Sequence, residues 1–214
     1  RSTLFPYTTL FRSLADLTSI DVDSENTSMV MGDDGALYNV DKTKLIGYAL
    51  GRGEASFTVP DTVVDVAPYA FFDDQALASV AIGANTATIG ANAFYNNDSL
   101  GSVALSDKVE TLGGNAFASC ASLTNIDLKH VKAVGGSCFA YDDKLTAIDL
   151  GDSLENLGNM SLTYTALSEL MIPDTCTTIG NNAFTNCPSL LKVHLGKSVV
   201  DRSEEHTSEL QSLG

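Results

Sequence analysis

Three histidines, four cysteines and 27 Asp/Glu are the residues of this 214-residue chain with chemistry to offer, and their spacing decides which chemistry. A nucleophilic triad needs an imidazole beside a hydroxyl and a carboxylate. His130 and His194 stand 64 residues apart, and neither adjoins a nucleophile-elbow motif, so both read as surface histidines. Zinc asks for closely spaced thiolate or imidazole pairs. Cys120, Cys138, Cys176 and Cys187 are separated by 18, 38 and 11 residues without a CxxC, and they read as buried small hydrophobes. A Cys120–Cys138 bridge stays open at this stage. Asp21, Asp23 and Glu25 open like a calcium loop. Such a loop wants Gly sixth and Glu twelfth, whereas Asn26 and Gly32 stand there. Asp73/Asp74 and Asp142/Asp143 read as turn-forming residues, with incidental calcium left open. Gly113-Gly114 and Gly135-Gly136 lack phosphate-loop spacing and fit a turn requirement. The expectation is therefore no catalytic residue, no metal site and no cofactor. The chain does not read as an enzyme.

Composition narrows the partners. Twelve Lys/Arg against 27 Asp/Glu leave a formal charge of −15, so the chain lacks the basic footprint of a nucleic-acid binder. It also lacks the polybasic segments that hold a protein to an anionic membrane. Apolar residues make up 44%, enough for a real core, but no run is long enough to span a bilayer.

The two ends read differently from the rest. Residues 3–13 (TLFPYTTLFRS) and 202–212 (RSEEHTSELQS) match translated sequencing-library adapters. Segments 1–13 and 202–214 are accordingly set aside, and His206 with them. Natural sequence is expected from about Leu14 to Asp201, cut on both sides. Removing the ends leaves nine basic and 24 acidic residues, the same −15.

What must position any site is a repeat. Phe71, Phe94, Phe117, Phe139, Leu162 and Phe184 follow one another at 22 or 23 residues. Val66, Ile89, Leu112, Val134, Leu157 and Ile179 keep the same phase five residues earlier. A Leu column (Leu77 to Leu190) and two further apolar columns (Val80 to Val193, Ile82 to Leu195) run alongside. Stretches such as 78–83 (ASVAIG) alternate like half-buried strands. Pieces such as 86–90 (TATIG) form a second short strand, and 92–97 (NAFYNN) is expected to make one helical or 3₁₀ turn. A single coil cannot cover its own apolar interior, so the coils are expected to stack. The columns then form ladders, and the aromatic one reads as core rather than as a ligand-stacking strip. The shortened fourth and fifth repeats predict irregularity near 160–167.

The motif L-x-x-I-x-L, a turn, V-x-x-I-G, x-x-A-F and a Cys three residues on resembles the BspA-like leucine-rich repeat family. Near-consensus copies occur at 115–128 (NAFASCASLTNIDL) and 181–195 (NNAFTNCPSLLKVHL). Residues 34–63 resemble the hairpin insertion this family carries. The resemblance implies a leucine-rich repeat solenoid, α/β but β-rich, with a partial repeat and hairpin over 14–56 and six repeats over 57–201. It also implies a secreted or cell-surface bacterial protein that binds host-matrix or partner-cell proteins. A passive stalk, or the targeting repeats of a longer cell-surface enzyme, are the alternatives.

In a solenoid, function falls to outward strand positions. Alternation sends Ser79, Ser102, Asn125, Ala147, Glu169 and Lys192 outward, together with Ala81, Ala104, Asp127, Asp149, Met171 and His194. The candidate protein-binding face is Asn125, Asp127, Asp149, Glu169, Met171, Lys192 and His194. A plain solvated sheet face fits the same composition.

Overall fold

A computed structural model describes residue 14 and residues 16–199. The adapter-like segments 1–13 and 202–214, with His206, lie outside the described residues. Sixteen strands occur among the described residues. In chain order they are β1 (Met29–Met31), β2 (Ala36–Asn39), β3 (Lys44–Tyr48), β4 (Ser56–Thr58), β5 (Asp65–Val66), β6 (Ser79–Ala81), β7 (Thr88–Ile89) and β8 (Ser102–Ala104). There follow β9 (Thr111–Leu112), β10 (Asn125–Asp127), β11 (Ala133–Val134), β12 (Ala147–Asp149), β13 (Asn156–Leu157), β14 (Glu169–Met171), β15 (Thr178–Ile179) and β16 (Lys192–His194).

One wall of the solenoid is a nine-stranded sheet. β1, β2 and β3 form its antiparallel end, and β3 then starts a parallel run through β5, β7, β9, β11, β13 and β15. The register pairs Val66 with Ile89, Ile89 with Leu112, Leu112 with Val134, Val134 with Leu157 and Leu157 with Ile179. Each partner is the next member of the column read from the sequence. The hairpin of residues 36–48 thus closes one end of the wall. The opening segment around Leu17, Ile20 and Val22 forms no strand, although Gly51 donates its N–H to the Leu17 carbonyl.

The opposite wall carries the three-residue strands. Phe57 pairs with Val80 and Val80 with Val103; Ile126 pairs with Ile148 and Leu170 with Val193. This wall is divided into three sheets, with no strand bridge from β8 to β10 or from β12 to β14 among the described residues. The second break adjoins a shortened stretch, in which Leu162 and Leu167 are five residues apart where other coils have six. The first break adjoins the shortened turn 128–134, and a hollow of about 270 Å³ opens there between residues 103–109 and 127–131.

Between the walls lies the aromatic ladder. Phe71, Phe94, Phe117 and Phe139 are each 0% exposed. Their rings stack at centroid distances of 5.0, 5.2 and 5.7 Å, tilted by no more than 7°. Leu162 continues the column fully buried, while Phe184 is half-buried.

The segment around each Phe departs from a helical turn. Asn92, Phe94 and Asn96 donate their N–H groups to carbonyls of the next coil, at 2.8–2.9 Å. Ala93 and Tyr95 instead bond back to Gly90 and Asn92 of their own coil, closing tight turns. Alternate residues must therefore face opposite ways, and Asn92 and Asn96 adopt left-handed φ of 57° and 60°. A helix would align every N–H along its own axis and leave the coil–coil bonds unmade. Leu50–Arg52 is the one regular 3₁₀ helix among the described residues.

The paired glycines answer to close approach rather than to a turn dihedral. A Cβ on Gly135 would lie 2.5 Å from the Gly113 carbonyl carbon, and one on Gly158 would lie 2.5 Å from that of Gly135. Here the backbone of one coil rests directly on the backbone of the last.

Candidate functional site

The outward residues of β10, β12, β14 and β16 are solvent-exposed as the alternation requires. Asn125, Asp127, Asp149, Glu169, Met171, Lys192 and His194 are all exposed. Register places Asp127 against Asp149, Glu169 against Lys192 and Met171 against His194. The break between β12 and β14 separates the Asp pair from the Glu–Lys and Met–His rows. Two aspartates also serve the backbone: Asp127 Oδ1 accepts the Lys129 N–H and Asp149 Oδ1 the Gly151 N–H, both at 2.9 Å. At the smaller end of the face, Ser79 and Ala81 are half-buried, and Ser102 and Ala104 are exposed.

The residues that suggested other chemistry are placed otherwise. His130 Nε2 lies 3.4 Å from Asp107 Oδ1 on a turn, whereas His194 is on a strand in a different coil. Asp23 Oδ1 accepts the Glu25 N–H, and Asn26 Oδ1 accepts those of Ser28 and Met29, so the calcium-like segment is a pair of Asx turns. All four cysteines are free thiols. Burial pushes the Cys120 and Cys138 thiols up, with the nearby Asp142 carboxylate adding to it. Such thiols withhold the thiolate that nucleophilic or metal chemistry needs.

The acidic pairs split between surface and core. Asp73 and Asp143 reach solvent, but Asp74 and Asp142 are buried. Both buried residues belong to the column three after the Phe, with Asn97, Cys120, Thr165 and Cys187. Members of this column bond across coils: Asn97 Oδ1 accepts the Asp74 N–H at 2.9 Å, and Asp142 Oδ1 accepts the Cys120 N–H at 2.8 Å. Desolvation holds both carboxyls above their ordinary range, Asp142 the further. The Asp142 carboxyl ties its coil to the preceding one, whereas Asp74 Oδ1 accepts the Ala76 and Leu77 N–H groups of its own coil, the Asx turn expected there.

One surface feature escaped the sequence reading. Tyr141 and Tyr164 are 54% and 44% exposed, and their rings stack at 4.8 Å with a 12° tilt. They fall two residues after the Phe-column position in adjacent coils, where the other coils carry Asp73, Asn96, Ser119 and Asn186. That contrast was available in the sequence, but only against a column not known to be left-handed. Beside the pair lies an open groove of about 1060 Å³, whose lining includes Asp143, Thr165, Phe184 and Asn186.

Stacked coils with short parallel strands, buried apolar ladders and almost no helix define a leucine-rich repeat solenoid. The BspA type leucine rich repeat region matches residues 54–165 and 128–209, in six copies, and the chain belongs to this family. Among solved structures, a leucine-rich repeat protein from Bacteroides ovatus is similar with a TM-score of 0.66 and 20% identity, over 84% of this chain and 54% of its own. The pneumococcal vaccine antigen PcpA is similar with a TM-score of 0.66 and 19% identity, over 82% of this chain and 51% of its own. A leucine rich cell surface protein from Faecalibacterium prausnitzii gives 0.53 and 26%, over 84% and 56%. The chain thus spans about half the length of these solved proteins. No curated protein matches it. No helix among the described residues is long and apolar enough to cross a membrane.

Proposed function

We propose that the chain is a non-catalytic protein-interaction array of a secreted or cell-surface bacterial protein, adhering to host-matrix or partner-cell proteins through the exposed face of β10, β12, β14 and β16. The observation that supports this reading is the division of labour within each coil. Inner columns are consumed by packing, while Asn125, Asp127, Asp149, Glu169, Met171, Lys192 and His194 are exposed on one wall. A net charge of −15 favours basic partners and accelerates their encounter at low salt.

The test replaces charge while keeping shape. Asp127→Asn, Asp149→Asn and Glu169→Gln together preserve the oxygens that accept the Lys129 and Gly151 N–H groups. Binding to immobilised basic matrix proteins should fall about tenfold, corresponding to roughly 1.4 kcal/mol, and should weaken with salt in the parent chain. Binding unchanged by the triple substitution would remove this face from the account.

A further inference from the structure

We infer that the stacked Tyr141–Tyr164 pair forms a second binding site, one that takes an arginine or lysine side chain of an extended protein segment. The inference rests on the reading of the array as a protein-interaction surface, and it concerns a different edge of it.

Two positions in each coil are left-handed, two residues before and two after the Phe-column residue. Asn, Asp and Ser fill most of them, as expected, because a short polar side chain tolerates positive φ. Tyr141, Met160 and Tyr164 break the rule in adjacent coils, with φ of 67°, 55° and 59°. Bulky residues in this conformation are genuine outliers, and such outliers concentrate at functional sites. Burial does not offset the strain, since Met160 is 40% exposed and the two tyrosines are more so. Tyr69, the other bulky left-handed residue among the described coils, is half-buried and packs its ring on Phe72 at 5.6 Å. The Tyr141–Tyr164 edge therefore keeps aromatic surface in water where the repeat itself favours Asn.

The surroundings select the ligand. The groove beside the pair is lined by Tyr141, Asp143, Tyr164, Thr165, Phe184 and Asn186 among others, and none of its lining residues is Lys, Arg or His. Asp143 is its one charged lining residue. A cation gains from the electron-rich ring face, from this carboxylate and from the field of a chain carrying −15. A guanidinium adds planar stacking on the ring. A neutral sugar would use the ring face and leave the other two attractions unused.

The experiment titrates the intact chain with acetyl-(Gly-Arg)₃-amide, with its citrulline counterpart and with cellohexaose. Ring-proton NMR shifts of Tyr141 and Tyr164 are followed together with a calorimetric Kd. The arginine peptide should shift both rings, and the citrulline peptide and the sugar should not. Tyr141→Ser with Tyr164→Asn, the residue types of the flanking coils, should weaken the peptide at least tenfold. The same variant should keep or raise the thermal midpoint, because the strain is relieved. Asp143→Asn should weaken binding several-fold. Equal shifts from citrulline or cellohexaose, no shift from arginine, or a lowered midpoint in the double variant would each overturn the inference. The peptide titration reads this edge without any partner, so its failure is separable from failure of the strand-face substitutions.

Discussion

Asp142 shows how much one side chain can reveal about the interior of a coil. Its Oδ1 accepts the Cys120 N–H of the preceding coil, and its Oδ2 has no partner among the described atoms. Burial is the main reason its carboxyl titrates well above the ordinary value of 3.8. The sign of the pH effect follows from proton linkage. Between 3.8 and the raised folded value, the native state holds a proton that the unfolded chain releases. Stability contributed by Asp142 is thus intact below that window and is lost as pH rises through it. Asp142→Asn should remove the loss, and Asn97 shows that an amide serves the same column two coils earlier in the ladder. Urea unfolding of parent and variant should diverge in the variant's favour as pH rises above 3.8. A variant less stable than the parent at neutral pH would mean that the ionised carboxylate is needed.

At the scale of elements, the ladders rather than the individual strands carry the fold. Strands of two or three residues are too short to persist alone. They hold because Phe71, Phe94, Phe117 and Phe139 stack behind them and because alternate N–H groups of each turn reach the next coil. Truncating a fully buried Phe costs about 3–5 kcal/mol. Phe117→Ala should therefore lower the denaturant midpoint far more than Phe184→Ala, whose ring is half-buried. Equal losses would show that the ladder does not distribute burial as described. The column positions were legible in the sequence because burial recurs once per coil and leaves a period. The left-handed alternation around Phe94 was not, since Asn92 and Asn96 serve a helix cap as readily as an αL position. Irregularity near 160–167 was legible from the missing residue between Leu162 and Leu167. The break between β8 and β10 was not, because a shortened turn does not say which neighbouring strand gives way.

The whole molecule is an acidic roll of coils whose inside is periodic and whose outside is not. That asymmetry explains why the fold could be read and the sites only outlined. Asn125, Asp127, Asp149, Glu169, Met171, Lys192 and His194 were placed on one wall by strand alternation, yet alternation cannot rank them by affinity. The Tyr141–Tyr164 pair spans only two coils and leaves no period at all. Each surface proposal depends on the same prior condition, that successive coils lie directly on one another. Ring-to-ring NOEs in a phenylalanine-labelled sample test that condition most directly. The account predicts cross-peaks linking Phe71 to Phe94, Phe94 to Phe117 and Phe117 to Phe139, at centroid separations of 5.0–5.7 Å, with no exchange peaks to water. Absence of these sequential contacts, or water at the Phe94 and Phe117 rings, would contradict it.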